Sequence, residues 1–342
     1  MLHYIFRARE IAKDHGFKYL ARYALCSIRI KSRIIISKIL KKDFHALNGH
    51  VNANGVVMAR RFPDQYNIIQ YAPDKNIAGM DIVFDRVAVI IHVFYPDLMD
   101  EFIQYLRNIP VSTGLFISTD TEEKKEQIKN AINDASLDLI ELEIKIVPNR
   151  GRDIAPKYIA FRHVYDRYDA FLHLHSKKSL HSKRLGLSWR HYLLDSLIGS
   201  RTIAANNLRI LSMEKMGVVY PVHHKKIRKF IDWGYDFETA KALLKRIGVD
   251  LNIKTCLEFP SGSMFWAKSA AIRPLLELDL QFEDFPEEKA QIDGTLAHAL
   301  ERTILFIAEK SGHKWARIAM SASAKEPDLS SYQFIPLLKP PR

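Results

Sequence analysis

Short apolar runs alternate with amphipathic charged stretches along most of the chain, and this alternation predicts the fold. Strands are expected where β-branched runs end in turn residues, and helices where apolar residues recur every three or four positions. The predicted strands cover residues 87–94, 114–119, 142–147, 170–175, 217–221 and 263–267, and the predicted helices cover residues 98–107, 121–135, 155–165, 189–211, 237–247 and 296–310. This order predicts an α/β fold with a doubly wound, mainly parallel sheet.

The pattern changes toward both ends of the chain and predicts four regions. They are a basic amphipathic helical segment at 1–45, an irregular linker at 46–84, the α/β domain at 85–320 and a loose, proline-containing tail at 321–342. Within the first region, residues 17–42 alternate apolar side chains with Lys and Arg. Such a helix would be drawn to anionic lipid by roughly 1 kcal/mol per charge near the surface. It could equally pack on the domain and leave its charged face in water.

The formal net charge of +12 is concentrated at the start of the chain. Residues 1–42 contain eleven Lys and Arg against Glu10 and Asp14, which accounts for nine of the twelve charges. A nucleic-acid-binding protein would carry its basic surface on the folded domain, so nucleic acid is not expected as a partner.

Cysteine usage and hydropathy predict the compartment. Two cysteines, Cys26 and Cys256, are too few for a disulfide framework. Charged residues, among them Arg7 and Glu10, interrupt the apolar core that a signal peptide would need, and no stretch approaches the ~18 apolar residues that cross a bilayer. A cytosolic, reducing location is therefore expected.

Residues Asn149, Arg150, Gly151, Arg152 and Asp153 lie between a predicted strand and a predicted helix. In doubly wound sheets the ligand crevice lies beyond the carboxyl ends of the strands. The two arginines could clamp phosphate oxygens while Asp153 accepts from ribose hydroxyls or a base N–H. The alternative is a well-made turn, with a positive φ at Gly151, a helix cap at Asp153 and solvated arginines.

A second basic motif follows the fourth predicted strand of the domain. The strand period of two places His173 and His175 on one face, and Ser176, Lys177 and Lys178 form the loop that leaves the strand. The two imidazoles could chelate a metal, or they and the lysines could bind a diphosphate, with the ammonium groups as point charges. They could also be strand-end histidines whose hydrogen bonds go to the backbone. His92, at the end of the first strand of the domain, joins these candidates for donor binding.

Small residues next to aromatic ones mark residues 258–266 as a candidate sugar site. Ser261, Gly262 and Ser263 would let a ligand approach the backbone closely, and Trp266 could stack on a sugar ring. A Phe-Trp pair on a strand is more often part of the core.

Asp293 is the candidate catalytic carboxylate. It opens the predicted helix 296–310, acidic residues precede it, and His298 lies one turn into the helix. The alternative role for Asp293 is an N-terminal helix cap.

Four motifs in order resemble the rhamnan synthesis protein F family, glycosyltransferase-like proteins of bacterial rhamnan and O-antigen assembly. They are N-R-G-R-D-I-A-P at 149–156, H-S-K-K-S at 175–179, F-P-S-G-S-M-F-W at 259–266 and D-G-T-L-A-H-A-L-E-R at 293–302, and the resemblance covers about residues 85–310. It implies a GT-A-like fold that binds a nucleotide-diphosphate sugar. It also implies transfer of rhamnose or a galactofuranose-like sugar to a lipid-linked glycan at the cytoplasmic face of the membrane.

One departure from the usual GT-A pattern concerns the metal. The Asp-x-Asp that would hold a divalent ion is replaced by His173-x-His175 and two lysines, so no cofactor is expected and metal dependence stays open. We expect an inverting enzyme with Asp293 as general base. The competing hypothesis is a catalytically silent, membrane-associated scaffold of a polysaccharide assembly complex.

Overall fold

A computed structural model of the chain describes residues 50–51, 57–176, 183–288, 293–329 and 332–338. Within these residues the strands are β1 (His50–Val51), β2 (Val57–Met58), β3 (Arg60–Arg61), β4 (Ile68–Tyr71), β5 (Arg86–His92), β6 (Ser112–Thr119), β7 (Glu141–Ile146), β8 (Ala170–His175), β9 (Met216–Pro221), β10 (Cys256–Leu257), β11 (Phe265–Lys268) and β12 (Lys314–Met320). The α-helices are α1 (Met99–Leu106), α2 (Glu122–Ala135), α3 (Lys183–Ile198), α4 (Arg201–Ser212), α5 (Phe237–Arg246), α6 (Arg273–Leu276) and α7 (Leu296–Lys310).

Eight of these strands form one central sheet. Their order is β4-β12-β9-β11-β8-β5-β6-β7, and β11 alone among them runs antiparallel to its neighbours, β8 and β9. The other seven strands run in one direction, so their carboxyl ends lie along one edge of the sheet. The predicted α/β class and the doubly wound, mainly parallel sheet are confirmed.

Both faces of the sheet are covered by packed side chains, as alternation along a strand requires. Along β5, Ala88 and Ile90 belong to one apolar cluster, while Val89 and Ile91 belong to the other. The central strands therefore read as continuous apolar runs, because neither face meets water.

The sequence pattern gives the best boundaries where one strong period covers the element. The predicted strand 170–175 and helix 296–310 coincide with β8 and α7. The predicted helix 189–211 is two helices, since Gly199 and Ser200 interrupt it and the hydroxyl of Ser200 caps α4 by accepting from the N–H of Ile203. The predicted helix 155–165 is a π-helix, Pro156–Ala160, followed by a 3₁₀ helix, Arg162–Asp166.

The region predicted to be a linker, 46–84, contributes to the central sheet. Strand β4 pairs in parallel with β12 at one edge, and Phe62 and Ile69 are buried. Neither strand is obvious from its sequence: β4 has only four residues, and β12 carries a buried arginine, Arg317, in place of an apolar side chain. The sheet therefore starts before residue 85.

The described part of the tail, predicted to be loose, also packs on the domain. Leu329 and Leu337 are buried, and the N–H of Leu337 donates to a carboxylate oxygen of Glu309 at 2.6 Å. The predicted basic segment, 1–45, lies outside the described residues. Among the helices of the described part, none is both long and apolar enough to cross a membrane.

Candidate active site

The carboxyl edge of the central strands brings together three groups of predicted residues. His92 ends β5, the turn 149–153 follows β7, and His175 ends β8. Nδ1 of His92 lies 3.0 Å from the hydroxyl of Ser118 on β6. The hydroxyl of Ser176 accepts from the N–H groups of Phe94 and Tyr95 at 2.7 and 2.9 Å. The edge is thus held by side chains as well as by strand pairing. Residues 177–182, which include Lys177 and Lys178, follow Ser176 in the sequence and lie outside the described residues.

His173 and His175 lie on one face of β8, as the strand period predicts, and their rings stack with centroids 6.1 Å apart. Nε2 of His175 lies 2.6 Å from the carbonyl oxygen of Gly262, and Nδ1 of His173 contacts the carbonyl oxygen of Ser263. Burial lowers the pKa of His173 well below its usual value, so this ring is neutral. Of the three interpretations, hydrogen bonding to the backbone matches the geometry of His173, which is fully buried.

Lys157 is a site residue that the sequence did not reveal. It lies in the π-helix with 1% of its surface exposed, and its ammonium nitrogen lies 3.1 Å from the hydroxyl of Ser263 and 3.2 Å from Nδ1 of His173. Burial lowers its pKa to about 8, although the charges of Asp153 and Glu301 oppose the shift. A lysine after Pro156 in a predicted amphipathic helix gives no signal of such burial.

The turn 149–153 is closed against the acidic segment that precedes Asp293. Gly151 and Arg152 both have positive φ, at 67° and 56°. Arg150 donates to the carbonyl oxygen of Phe285 at 2.9 Å, and Nε of Arg152 lies 3.4 Å from a carboxylate oxygen of Glu288. The two arginines are therefore already paired, and a phosphate at this turn would have to compete with these contacts.

Residues 260–263 form a tight turn between β10 and β11. The N–H of Ser263 donates to the carbonyl oxygen of Pro260 at 2.9 Å, and Gly262 has a φ of +87°. The N–H of Gly262 donates at 3.0 Å to a carboxylate oxygen of Glu301 on α7. Trp266, the second residue of β11, is fully buried, and its ring N–H donates to the carbonyl oxygen of Leu197. A stacking surface for a sugar needs an exposed face, so the predicted contact of Trp266 with a sugar is wrong.

We expect Gly262→Ala to destabilise the protein more than Gly312→Ala. Both glycines have positive φ, at 87° and 78°, which costs an alanine about 1–2 kcal/mol. A Cβ at 262 would lie 2.9 Å from Leu193 and Trp189 atoms, whereas a Cβ at 312 meets nothing within 4 Å. The clash should add about 1–3 kcal/mol to the loss in unfolding free energy. Urea unfolding of the two variants measures the difference, and equal losses would show that the turn can relax.

Asp293 lies just before α7, and the alternative prediction that it caps this helix is wrong. The residue at the N-cap of α7 is Thr295, two positions later. Oδ1 of Asp293 lies 3.2 Å from a guanidinium nitrogen of Arg302, and Oδ2 accepts from the N–H of Tyr235 at 3.2 Å. The side chain is 22% exposed. Burial alone would raise its pKa, but Arg302 and a hydrogen bond from Asp236 hold the pKa of Asp293 below its usual value.

Asp236, which the sequence analysis did not single out, completes this cluster. It is fully buried, and Oδ2 lies 2.9 Å from a guanidinium nitrogen of Arg302. Burial, the hydrogen bond to Asp293 and the charge of that carboxylate raise the pKa of Asp236 to about 9, although Arg302 opposes the shift. At neutral pH the pair therefore holds one proton, on Asp236, and one negative charge, on Asp293.

His298 lies beside these carboxylates on the first turn of α7. Its Nδ1 is 2.8 Å from the hydroxyl of Thr295, and the residue is 7% exposed. One ligand atom each from Asp236, Asp293 and His298 lies within 4.8 Å of the others, a spacing that a divalent ion could bridge. Arg302 contacts both carboxylates and supplies a cationic partner of its own. Among the described residues this is the set that could hold a metal.

Asp236→Asn should reduce the loss of stability with rising pH between about pH 5 and 8. A carboxyl whose pKa is raised on folding keeps a proton that the unfolded chain has released, so unfolding free energy falls as pH rises through this range. The fall is at most about 1.4 kcal/mol per pH unit for one group, and asparagine removes it. Urea unfolding of wild type and variant at three pH values tests this. Parallel curves would show that Asp236 is ionised in the folded protein.

The comparisons with known proteins identify the family. The model of the family described as rhamnan synthesis protein F matches residues 57–313. The chain belongs to this family. Two relatives in this comparison, each named uncharacterized protein WxcX, come from two strains of Xanthomonas campestris pv. campestris and are 32% identical over 266 residues. The match covers 77% of this chain and 37% of each relative, so the chain spans little more than a third of the length of these relatives.

A solved structure is also similar to this family member. It is glucosyl-3-phosphoglycerate synthase from Mycobacterium tuberculosis in complex with Mn²⁺ and UDP-glucose, with 10% identity and a TM-score of 0.33 over 78% of this chain and 81% of the other. A likeness at that level carries nothing about ligands or residues.

Proposed function

We propose that this chain is a GT-A-like, inverting glycosyltransferase. It would move a sugar, rhamnose or a galactofuranose-like residue, from a nucleotide diphosphate to a lipid-linked glycan during bacterial cell-surface polysaccharide synthesis. The observation that carries the proposal is Asp293: an ionised, partly exposed carboxylate held by Arg302 and joined through α7 to the turn 260–263. Membership of the rhamnan synthesis protein F family supports the polysaccharide.

In the proposed catalytic step, Asp293 acts as the general base. As the acceptor oxygen forms its bond to the anomeric carbon, the acceptor proton passes to the carboxylate and the bond from that carbon to the diphosphate breaks. A carboxylate kept ionised by Arg302 is available for this at neutral pH. His298, held by its contact with the hydroxyl of Thr295, lies beside the Asp293 carboxylate.

Donor binding is assigned to the carboxyl edge of the sheet. The residues are His92, Asn149 to Asp153, His175, Ser176, Lys177 and Lys178, with His173 and Lys157 beneath them and Ser261, Gly262 and Ser263 toward the sugar. The paired arginines, Arg150 and Arg152, make the lysines the better candidates for the diphosphate. We assign no resident metal; Asp236, Asp293 and His298 are the ligands if a divalent ion takes part.

A thermal-shift screen of the full chain against UDP-, dTDP- and GDP-sugars tests the proposal. A ligand at a hundred times its dissociation constant should stabilise by about 2.7 kcal/mol. Stabilisation by one nucleotide class, followed by transfer to a lipid-linked acceptor, is the expected result. A chain that no nucleotide sugar stabilises would instead fit the competing function, a catalytically silent scaffold of a polysaccharide assembly complex.

Deleting residues 1–42 is expected to weaken binding to anionic vesicles and leave the sheet domain folded. This segment carries nine of the twelve net positive charges, and each near a lipid surface contributes roughly 1 kcal/mol. Sedimentation with phosphatidylserine vesicles at low and high salt measures the loss. Equal binding by both proteins would remove the proposed location at the inner face of the cytoplasmic membrane.

A further inference from the structure

A buried chain of polar side chains ends at the hydroxyl of Ser261 in the turn 260–263. A guanidinium nitrogen of Arg317 lies 3.1 Å from Oε2 of Glu258, and Oε1 of Glu258 lies 2.5 Å from Nε2 of His223. Nδ1 of His223 lies 2.8 Å from the hydroxyl oxygen of Ser261. All four residues are buried, with Arg317 and Glu258 at 2% exposure and His223 at 9%.

The chemistry of these four side chains determines which partner carries the proton at each contact between them. Arginine only donates, and Glu258 is a carboxylate that only accepts. Burial alone would raise the pKa of Glu258, but His223 and Arg317 hold it below its usual value. A lone pair on a ring nitrogen would be repelled by a carboxylate oxygen 2.5 Å away, so Nε2 of His223 carries a proton toward Glu258. A ring that carries only this one proton has a lone pair at Nδ1, which accepts from the hydroxyl of Ser261.

We propose that Arg317, Glu258 and His223 fix Ser261 so that its hydroxyl proton always points to His223 and only acceptor lone pairs remain for a ligand. Ser261 can then bind a group that donates, such as a sugar hydroxyl. It cannot donate to a phosphate or carbonyl oxygen. Ser261 is the ligand-binding residue in this inference, and His223, Glu258 and Arg317 are positioning residues.

The turn that contains Ser261 is connected through α7 to Asp293, the proposed general base. The next residue, Gly262, donates its N–H to Glu301, and the adjacent Arg302 contacts Asp293. The turn 260–263 and Asp293 are thus both bonded to α7, and under the proposed function the recognised hydroxyl belongs to the sugar. The identity of the ligand as a sugar rests on the proposed function; the direction of the hydrogen bonds does not.

The tautomer of His223 tests the direction without any substrate. Long-range ¹H–¹⁵N spectra of the full chain, labelled at histidine, distinguish a ring protonated at Nε2 from one protonated at Nδ1, and His223→Gln assigns the signal. We expect the Nε2–H form in the wild type. In Glu258→Gln the side-chain amide can donate to Nε2, so the ring should switch to Nδ1–H and donate to Ser261. Glu309→Gln, a carboxylate bonded instead to Trp315 and Leu337, is the matched control and should leave the signal unchanged.

The wild-type spectrum decides the point even if Glu258→Gln fails to fold. An Nδ1–H or doubly protonated ring in the wild type would overturn the proposal.

Sugar recognition is tested with the nucleotide sugar that stabilises the chain and its monodeoxy analogues. Ser261→Ala should raise the KM for that sugar by about tenfold, and one deoxy analogue should lose the same factor in the wild type but nothing further in the variant. Calorimetry with the free nucleoside diphosphate should give the same affinity for both proteins. A weaker diphosphate affinity in Ser261→Ala, or additive losses for every analogue, would contradict recognition of a hydroxyl. If no nucleotide sugar binds at all, the proposed function and sugar recognition both fail, while the tautomer still decides the hydrogen-bond chain.

Discussion

Asp293→Asn is expected to lower the rate of sugar transfer by about 10²–10⁴-fold, with fold and donor binding retained, because an amide cannot take the acceptor proton. The amide suits its surroundings: its oxygen can accept from Tyr235 or Arg302, and its NH₂ group can donate to Asp236. Transfer rate, melting temperature and nucleotide-sugar affinity are measured on the same preparation.

The neighbouring Asp236→Asn is the matched control. It replaces a carboxyl that is already protonated with an isosteric group that also donates to Asp293, so transfer should change by less than about tenfold. Near-normal transfer in Asp293→Asn would end its assignment as general base and turn attention to Asp153, Glu283 and Asp284. A large loss in both variants would indicate that the pair acts together, for instance as metal ligands with His298.

The parts of the fold that the sequence predicts well depend on local periodicity. Strand β8 and helix α7 have the predicted bounds because each carries one uninterrupted apolar period. The same local pattern correctly places His173 and His175 on one face. The local pattern does not predict strands β4 and β12, because their burial depends on partners far away in the sequence.

The candidate site follows the same rule. Asp293 and the turn 260–263 are visible in the sequence as motifs. Lys157 and Arg317 are not, because each is identified as a site residue only by its hydrogen-bond partner. The partner of Lys157 is Ser263, 106 residues away, and the partner of Arg317 is Glu258, 59 residues away. A buried charge with a distant partner is indistinguishable in sequence from a solvated one, so the sequence pairs neither Arg150 with Phe285 nor Lys157 with Ser263.

The double variant Lys177→Ala, Lys178→Ala is expected to weaken nucleoside-diphosphate binding by about a hundredfold or more. A hydrogen bond from an ammonium group to a phosphate contributes about 1.5–3 kcal/mol, and two are removed. Both lysines follow Ser176 in the sequence, and the hydroxyl of Ser176 accepts from two backbone N–H groups, those of Phe94 and Tyr95. Calorimetry with UDP, dTDP and GDP measures the loss. Lys241→Ala, Lys245→Ala, on the exposed face of α5, removes the same charge elsewhere and should leave the affinity unchanged.

Repeating the titrations in EDTA separates the two ways in which the protein could neutralise a diphosphate. If the lysines do so, wild-type binding survives the chelator. Binding that vanishes with EDTA and returns with Mn²⁺, while the double variant binds normally, would assign the role to a metal. The ligands would then be Asp236, Asp293 and His298, because Nδ1 of His173 already contacts the carbonyl oxygen of Ser263 and the ammonium group of Lys157. In that event Asp293→Asn would lose nucleotide affinity together with transfer, whereas a general base alone would lose only transfer.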